Sequence, residues 1–104
     1  MIYPMSEEIF SHKETRPNGD IIECRIWKVP ISKHNPDGLD YSCVFIRGGK
    51  RLIGYDNSEG HESKGTTHHK HVKDRILSYE FEDIWKLIED FDKDVEKIEN
   101  GLIQ

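Results

Sequence analysis

The chain has 104 residues, a formal net charge of −5, and near-equal shares of hydrophobic (35%) and charged (34%) residues. That length suits a single domain spanning 1–104 with one modest core. No apolar run approaches the roughly 20 residues of a membrane span. The start, Met-Ile-Tyr-Pro-Met-Ser-Glu-Glu, lacks the basic and apolar regions of a secretory signal, so a cytoplasmic protein is expected. The acidic total disfavours nonspecific binding of duplex DNA.

Residues 7–15 make the first expected strand. Pro17-Asn18-Gly19-Asp20 reads as a turn, because Asn-Gly supplies the positive φ angles of a tight hairpin. Residues 21–29 follow as a strand, with Ile22, Cys24 and Ile26 on one face and Glu23, Arg25 and Trp27 on the other; Pro30 ends it. Residues 32–40 are rich in turn formers and read as a loop. Residues 41–47 form the next strand, Gly48-Gly49 a tight turn, and residues 50–55 the returning strand. Residues 58–67 are a polar, glycine-containing connection, and residues 75–81 a short last strand.

The C-terminal helix carries the strongest periodicity. Ile84, Leu87, Ile88, Phe91, Val95 and Ile98 form one apolar stripe. Asp83 is the expected N-cap and Gly101 the stop, and Glu82 and Asp83 suit the positive end of the helix dipole. The architecture expected is α+β: an antiparallel β-meander of about four to five strands with one long amphipathic C-terminal helix packed on it.

Charge is unevenly distributed. From Ser78 onward there are nine acids and three lysines, a net −6, which leaves +1 for the rest. The run Glu89, Asp90, Asp92, Asp94, Glu96 reads as a solvated helix face, or as a docking surface for a basic partner. Cys24 and Cys43 sit in apolar company on separate strands. They read as two buried thiols of a reducing cytosol, and they lack the short spacing of a zinc pair. Trp27 and Trp85 read as core or sheet-packing aromatics. His12 and His34 read as surface residues.

Chemistry concentrates in one stretch. His61, His68, His69 and His71, four of the six histidines, fall within eleven positions downstream of Tyr55-Asp56-Asn57. If residues 69–71 run extended, His69 and His71 point one way and Lys70 the other. Two imidazoles on one side can serve as general acid and base for RNA cleavage by its own 2′-hydroxyl, with a cation stabilising charge on phosphorus. Lys64, Lys70, Lys73 or Arg51 could supply that cation. Asp56 could orient an imidazole, and Tyr55 could stack on a base or donate a hydrogen bond. The same His-x-His pair with Asp56 is also a ligand set for a transition metal that activates water. A third reading is a solvated histidine-rich loop, with Asp56-Asn57 a simple turn after a strand.

The order of these residues resembles a known family. An early Ile26-Trp27-Lys28-Val29-Pro30 strand is followed by Arg51-Leu52-Ile53-Gly54-Tyr55-Asp56-Asn57, then His69-Lys70-His71, then Tyr79-Glu80-Phe81 and a helix with Ile88-Glu89-Asp90-Phe91 and Asp94-Val95. This looks like the TumE-type toxin family of prokaryotic toxin–antitoxin modules, over roughly residues 7–100. The resemblance implies a small cytoplasmic toxin silenced by a helix-turn-helix antitoxin. Tyr55, Asp56, Asn57, His69 and His71 match the family's polar motif, and Lys70 its basic position. The chain departs from the simpler pattern in an extra His68 and a longer stretch before it.

The leading expectation is therefore a ribonuclease toxin that needs no cofactor, with His69, His71 and Asp56 catalytic and Tyr55, Asn57, Lys70 and Arg51 binding RNA. A metal hydrolase or nucleotide-modifying enzyme using Asp56, His69 and His71 as ligands stands beside it, as does a noncatalytic module docking a basic partner on the acidic helix. An edge strand and an exposed helix both permit a homodimer.

Overall fold

The computed structural model describes residues 6–33, 35–57 and 68–101. His34, His61, Lys64 and the polar connection 58–67 lie outside the described residues. Six strands, β1 (Glu7–Thr15), β2 (Ile21–Lys28), β3 (Leu39–Arg47), β4 (Lys50–Asp56), β5 (His69–Val72) and β6 (Arg75–Ser78), precede one helix, α1 (Ile84–Glu99). The strands form one antiparallel sheet in sequence order, a pure meander. The strand count is thus six rather than four to five: the histidine triplet is itself a strand, paired on both sides.

Alternation along β2 and β3 builds the core face. Ile22, Cys24 and Ile26 pair with Phe45, Cys43 and Tyr41, and all six are buried. Helix α1 lies over β4 and inserts Leu87, Phe91, Val95 and Ile98. Asp83 caps it, its side chain accepting from the Lys86 N–H at 2.8 Å. Gly101, at φ +74°, stops it in the left-handed conformation.

Several sequence expectations are corrected. Cys24 and Cys43 are joined by a disulfide, because the β2–β3 register sets them directly opposite, with Cα atoms 3.9 Å apart. The Asn-Gly hairpin is not a two-residue turn. Thr15 pairs with Ile21 across a five-residue connection, and only Gly19, at φ +93°, takes a positive φ. Trp85 is 73% exposed, since it lies about 100° around the helix from Ile84 and outside the apolar stripe. The acidic run is not uniformly solvated either. Asp94 is buried and accepts from the Tyr55 hydroxyl at 2.5 Å and the Lys70 ammonium at 2.7 Å. One turn earlier, Asp90 accepts from the Tyr79 hydroxyl at 2.6 Å.

A buried carboxylate is tolerable only when its acceptor sites are used. Asp94→Ala should therefore destabilise the fold by about 3–5 kcal/mol, read as a lower urea midpoint, with Asp94→Asn losing less. A second anchor joins the β1–β2 connection to β3. Arg47 Nη2 donates to Asp20 Oδ2 at 2.7 Å, and Asp20 is buried. Hydrogen bonding from Arg47 holds the Asp20 carboxyl below its ordinary value, against the opposing effect of burial. The folded pKa is lower than the unfolded one, so this contribution is complete above about pH 4 and is lost as the pH falls through the folded value. Acid titrations of stability should show Asp20→Asn weaker than the parent at neutral pH, with a shallower acid decline.

Candidate functional site

Antiparallel pairing decides which side each motif residue faces. Asp56 pairs with His69, Tyr55 with Lys70, and Gly54 with His71. Directly paired side chains share a face, so Asp56, His69 and His71 lie together on the face away from α1. Tyr55 and Lys70 lie beneath the helix.

On the outer face a short hydrogen-bonded line forms. Arg51 Nη2 lies 3.0 Å from His71 Nδ1, and His71 Nε2 lies 3.0 Å from Asp56 Oδ2. A guanidinium can only donate, so Nδ1 accepts and the imidazole proton sits on Nε2, donated to Asp56. His69 Nδ1 stands 4.0 Å from the other carboxylate oxygen of Asp56. Both imidazoles are buried, and Asp56 keeps 16% of its side-chain surface. Gly54 makes the line possible. A Cβ there would stand 2.8 Å from Arg51 Cδ, so the missing side chain lets Arg51 lie across β4 to reach His71.

Arg51 also opens onto a groove of about 620 Å³ lined by Lys50, Arg51, Leu52, Lys73 and Asp74. The β5–β6 turn closes against β4 there, the Lys73 N–H donating to the Leu52 carbonyl at 2.9 Å. Lys73 takes φ +54°, a conformation that glycine adopts at no steric expense. A strained lysine is thus kept at the rim of a cationic groove.

Three expected site residues are engaged elsewhere. Tyr55 is buried, its ring edge-on to Tyr79 and Phe91; burial, then the bond to Asp94, raises its pKa far above the ordinary phenol value. Lys70 pairs with Asp94, with its ammonium 5.5 Å from the Tyr55 ring centre. Asn57 extends the β3–β4 pairing, donating to the Leu39 carbonyl at 2.7 Å and accepting from the Tyr41 N–H at 3.1 Å.

His68, given no role from sequence, joins the core face. Its Nδ1 lies 2.9 Å from the Tyr41 hydroxyl and its Nε2 2.6 Å from Asp37 Oδ2, and its ring stacks on Phe81 at 4.7 Å. The period-two alternation that separates His68 from His69 was its only sequence signal.

Among the described residues, no cluster of three or more His, Cys, Asp or Glu is arranged to hold a metal ion. The donor set argues the same way. One His71 nitrogen faces a guanidinium cation and the other faces Asp56.

A family model described as Toxin TumE matches residues 5–99. The chain belongs to the TumE toxin family. The match covers all six strands, the Arg51–His71–Asp56 line and the whole of α1. No curated protein and no solved structure matches the chain. Membership makes it a toxin and suggests an antitoxin partner. Among the described residues, no helix is long and apolar enough to cross a membrane.

The line has a direct spectroscopic test. Gly54→Ala should push the flexible Arg51 side chain aside and leave the strands paired. Long-range ¹⁵N–¹H spectra of His71 should then show an altered Nδ1 resonance, with little change in melting temperature.

Proposed function

We propose that this toxin acts in the cytoplasm on RNA, as a metal-independent ribonuclease held in check by a helix-turn-helix antitoxin. The observation that carries the reading is the cation–imidazole–carboxylate line Arg51–His71–Asp56, opening through Arg51 onto a groove with two further cations. A polyanionic backbone fits that groove, and the imidazole beside it is already oriented by a carboxylate.

In the resting state Arg51 occupies the lone pair of His71 Nδ1. A bound phosphate draws the guanidinium onto its non-bridging oxygens and uncovers Nδ1. Nδ1 then takes the proton of the 2′-hydroxyl while Nε2–H stays on Asp56, which stabilises the imidazolium. The 2′-oxygen attacks phosphorus, the bond to the 5′-oxygen breaks, and that oxygen takes a proton from His69. The products are a 2′,3′-cyclic phosphate and a 5′-hydroxyl. Both imidazoles are buried, so the reading requires the site to open as RNA binds. Arg51, rather than Lys70, is the phosphate ligand, because Lys70 is held by Asp94 on the other face.

The test is cleavage of a short RNA by the purified chain, alongside growth arrest on expression. His71→Asn and Asp56→Asn should each reduce cleavage by about 10²–10⁴-fold while keeping a native circular dichroism spectrum. Chelator should have no effect, and a 2′-deoxy nucleotide at the scissile position should block the reaction. Growth arrest that persists in folded His71→Asn, with cellular RNA intact, would sink the proposal.

A further inference from the structure

One helix covers only part of a six-stranded sheet. Strands stand about 4.8 Å apart and a helix with its side chains is about 10 Å across, so α1 over β4 leaves the β1 edge of the core face open, where every β1 residue stays at least partly exposed. There a groove of about 510 Å³ runs between β1 and α1. Phe10 and Ile22 form its sheet wall, and Ile88, Phe91 and Val95 its helix wall. Asp92, Glu96 and Glu99 rise along the helix rim, and Glu14 along the strand rim. Arg16 and His12 are the basic residues of the lining; Arg16 bridges Glu14 and Glu99 at one end, and His12 Nε2 lies 3.2 Å from Glu14 Oε1.

The rim continues along the helix. Trp85 stands one or two turns before Ile88 and Asp92 on the same ridge, by steps of three and four. It is 73% exposed, an aromatic of the kind that anchors protein interfaces. Apolar walls, an exposed tryptophan and an acidic rim define one occupant.

We infer that the groove between β1 and α1 seats an amphipathic helix of the toxin's protein partner, apolar on the face against Phe10 and Ile88 and basic along the flank against Asp92 and Glu96. Its acidic rim selects a basic flank on that helix. Partial desolvation beside the groove raises the Asp92 carboxyl pKa, with Glu14 adding to the effect and His12 and Arg16 opposing it; a cation from the partner would relieve that cost. A second copy of this chain fits poorly, because the ridge of α1 beside the groove would set its own Asp92 and Glu96 against the same residues of the other copy. The surface is separate from the Arg51–His71–Asp56 line, so this inference stands apart from the ribonuclease reading.

The test uses the full chain carrying Trp27→Phe, which leaves Trp85 as the single tryptophan. The probes are two synthetic four-turn helical peptides with the same leucine face, one flanked by lysine and the other by glutamate. The lysine peptide should bind, shift Trp85 emission to the blue and move the amide resonances of Phe10, Ile22 and Ile88. Asp92→Lys with Glu96→Lys should weaken it about tenfold and transfer the preference to the glutamate peptide. Both positions are exposed, so the melting temperature should hold. Failure of the lysine peptide to bind, equal binding of the two peptides, or resonance changes confined to the Asp90 and Lys97 side of the helix would overturn the inference. So would a blue shift of Trp85 that grows with protein concentration alone, since a second copy would then fill the groove.

Discussion

The structure depends on one buried carboxylate. Asp94 projects from α1 into the core face and accepts from Tyr55 on β4 and Lys70 on β5. Removing a carboxylate from water is unfavourable by several kcal/mol unless charge and hydrogen bonds replace the solvent, and here an ammonium and a phenol do so. The contact ties the helix to two strands at once, and Tyr79–Asp90 repeats the phenol–carboxylate pairing one turn earlier. Its reach extends to the opposite face. With Tyr55 and Lys70 committed to the helix, strand alternation leaves only the outer face to Gly54, Asp56, His69 and His71. A residue outside the candidate site thus determines which groups can meet in it.

Charge follows the same division. The helix gathers the acids and leaves an acidic rim above an apolar groove at the β1 side. The turns after β3 and β5 gather Lys50 and Lys73 beside Arg51, with Asp74 as the one acid of that groove. Arg51 belongs to both that groove and the imidazole line, and it does so because Gly54 has no side chain to hold it off the strand. An acidic protein can therefore present a local polyanion path without being basic overall. The acidic rim and the cationic groove lie on different elements.

The apolar alternation of Ile22, Cys24 and Ile26, the Gly48-Gly49 turn and the stripe from Ile84 to Ile98 are local patterns. They specified the meander, its helix and the capping by Asp83 from sequence alone. The family motif was legible for the same reason: Tyr55-Asp56-Asn57 and His69-Lys70-His71 are short contiguous strings. The fifth strand was harder to see, because four residues of histidine, lysine and valine carry no strong β signal and gain their order from pairing on both sides.

What the sequence could not state was register and the side of the sheet. The Cys24–Cys43 link, the turning of Asn57 onto the β3 backbone, the engagement of His68 by Tyr41 and Asp37, and the burial of Asp94 each join residues from 16 to 39 positions apart in the chain. Periodicity decided that this chain forms an antiparallel meander with one helix packed on it, and its short motif strings showed which residues carry its polar chemistry. Only the tertiary structure decided which of them meet, because a one-residue change of register would reverse every face and no local signal encodes the distance between strands.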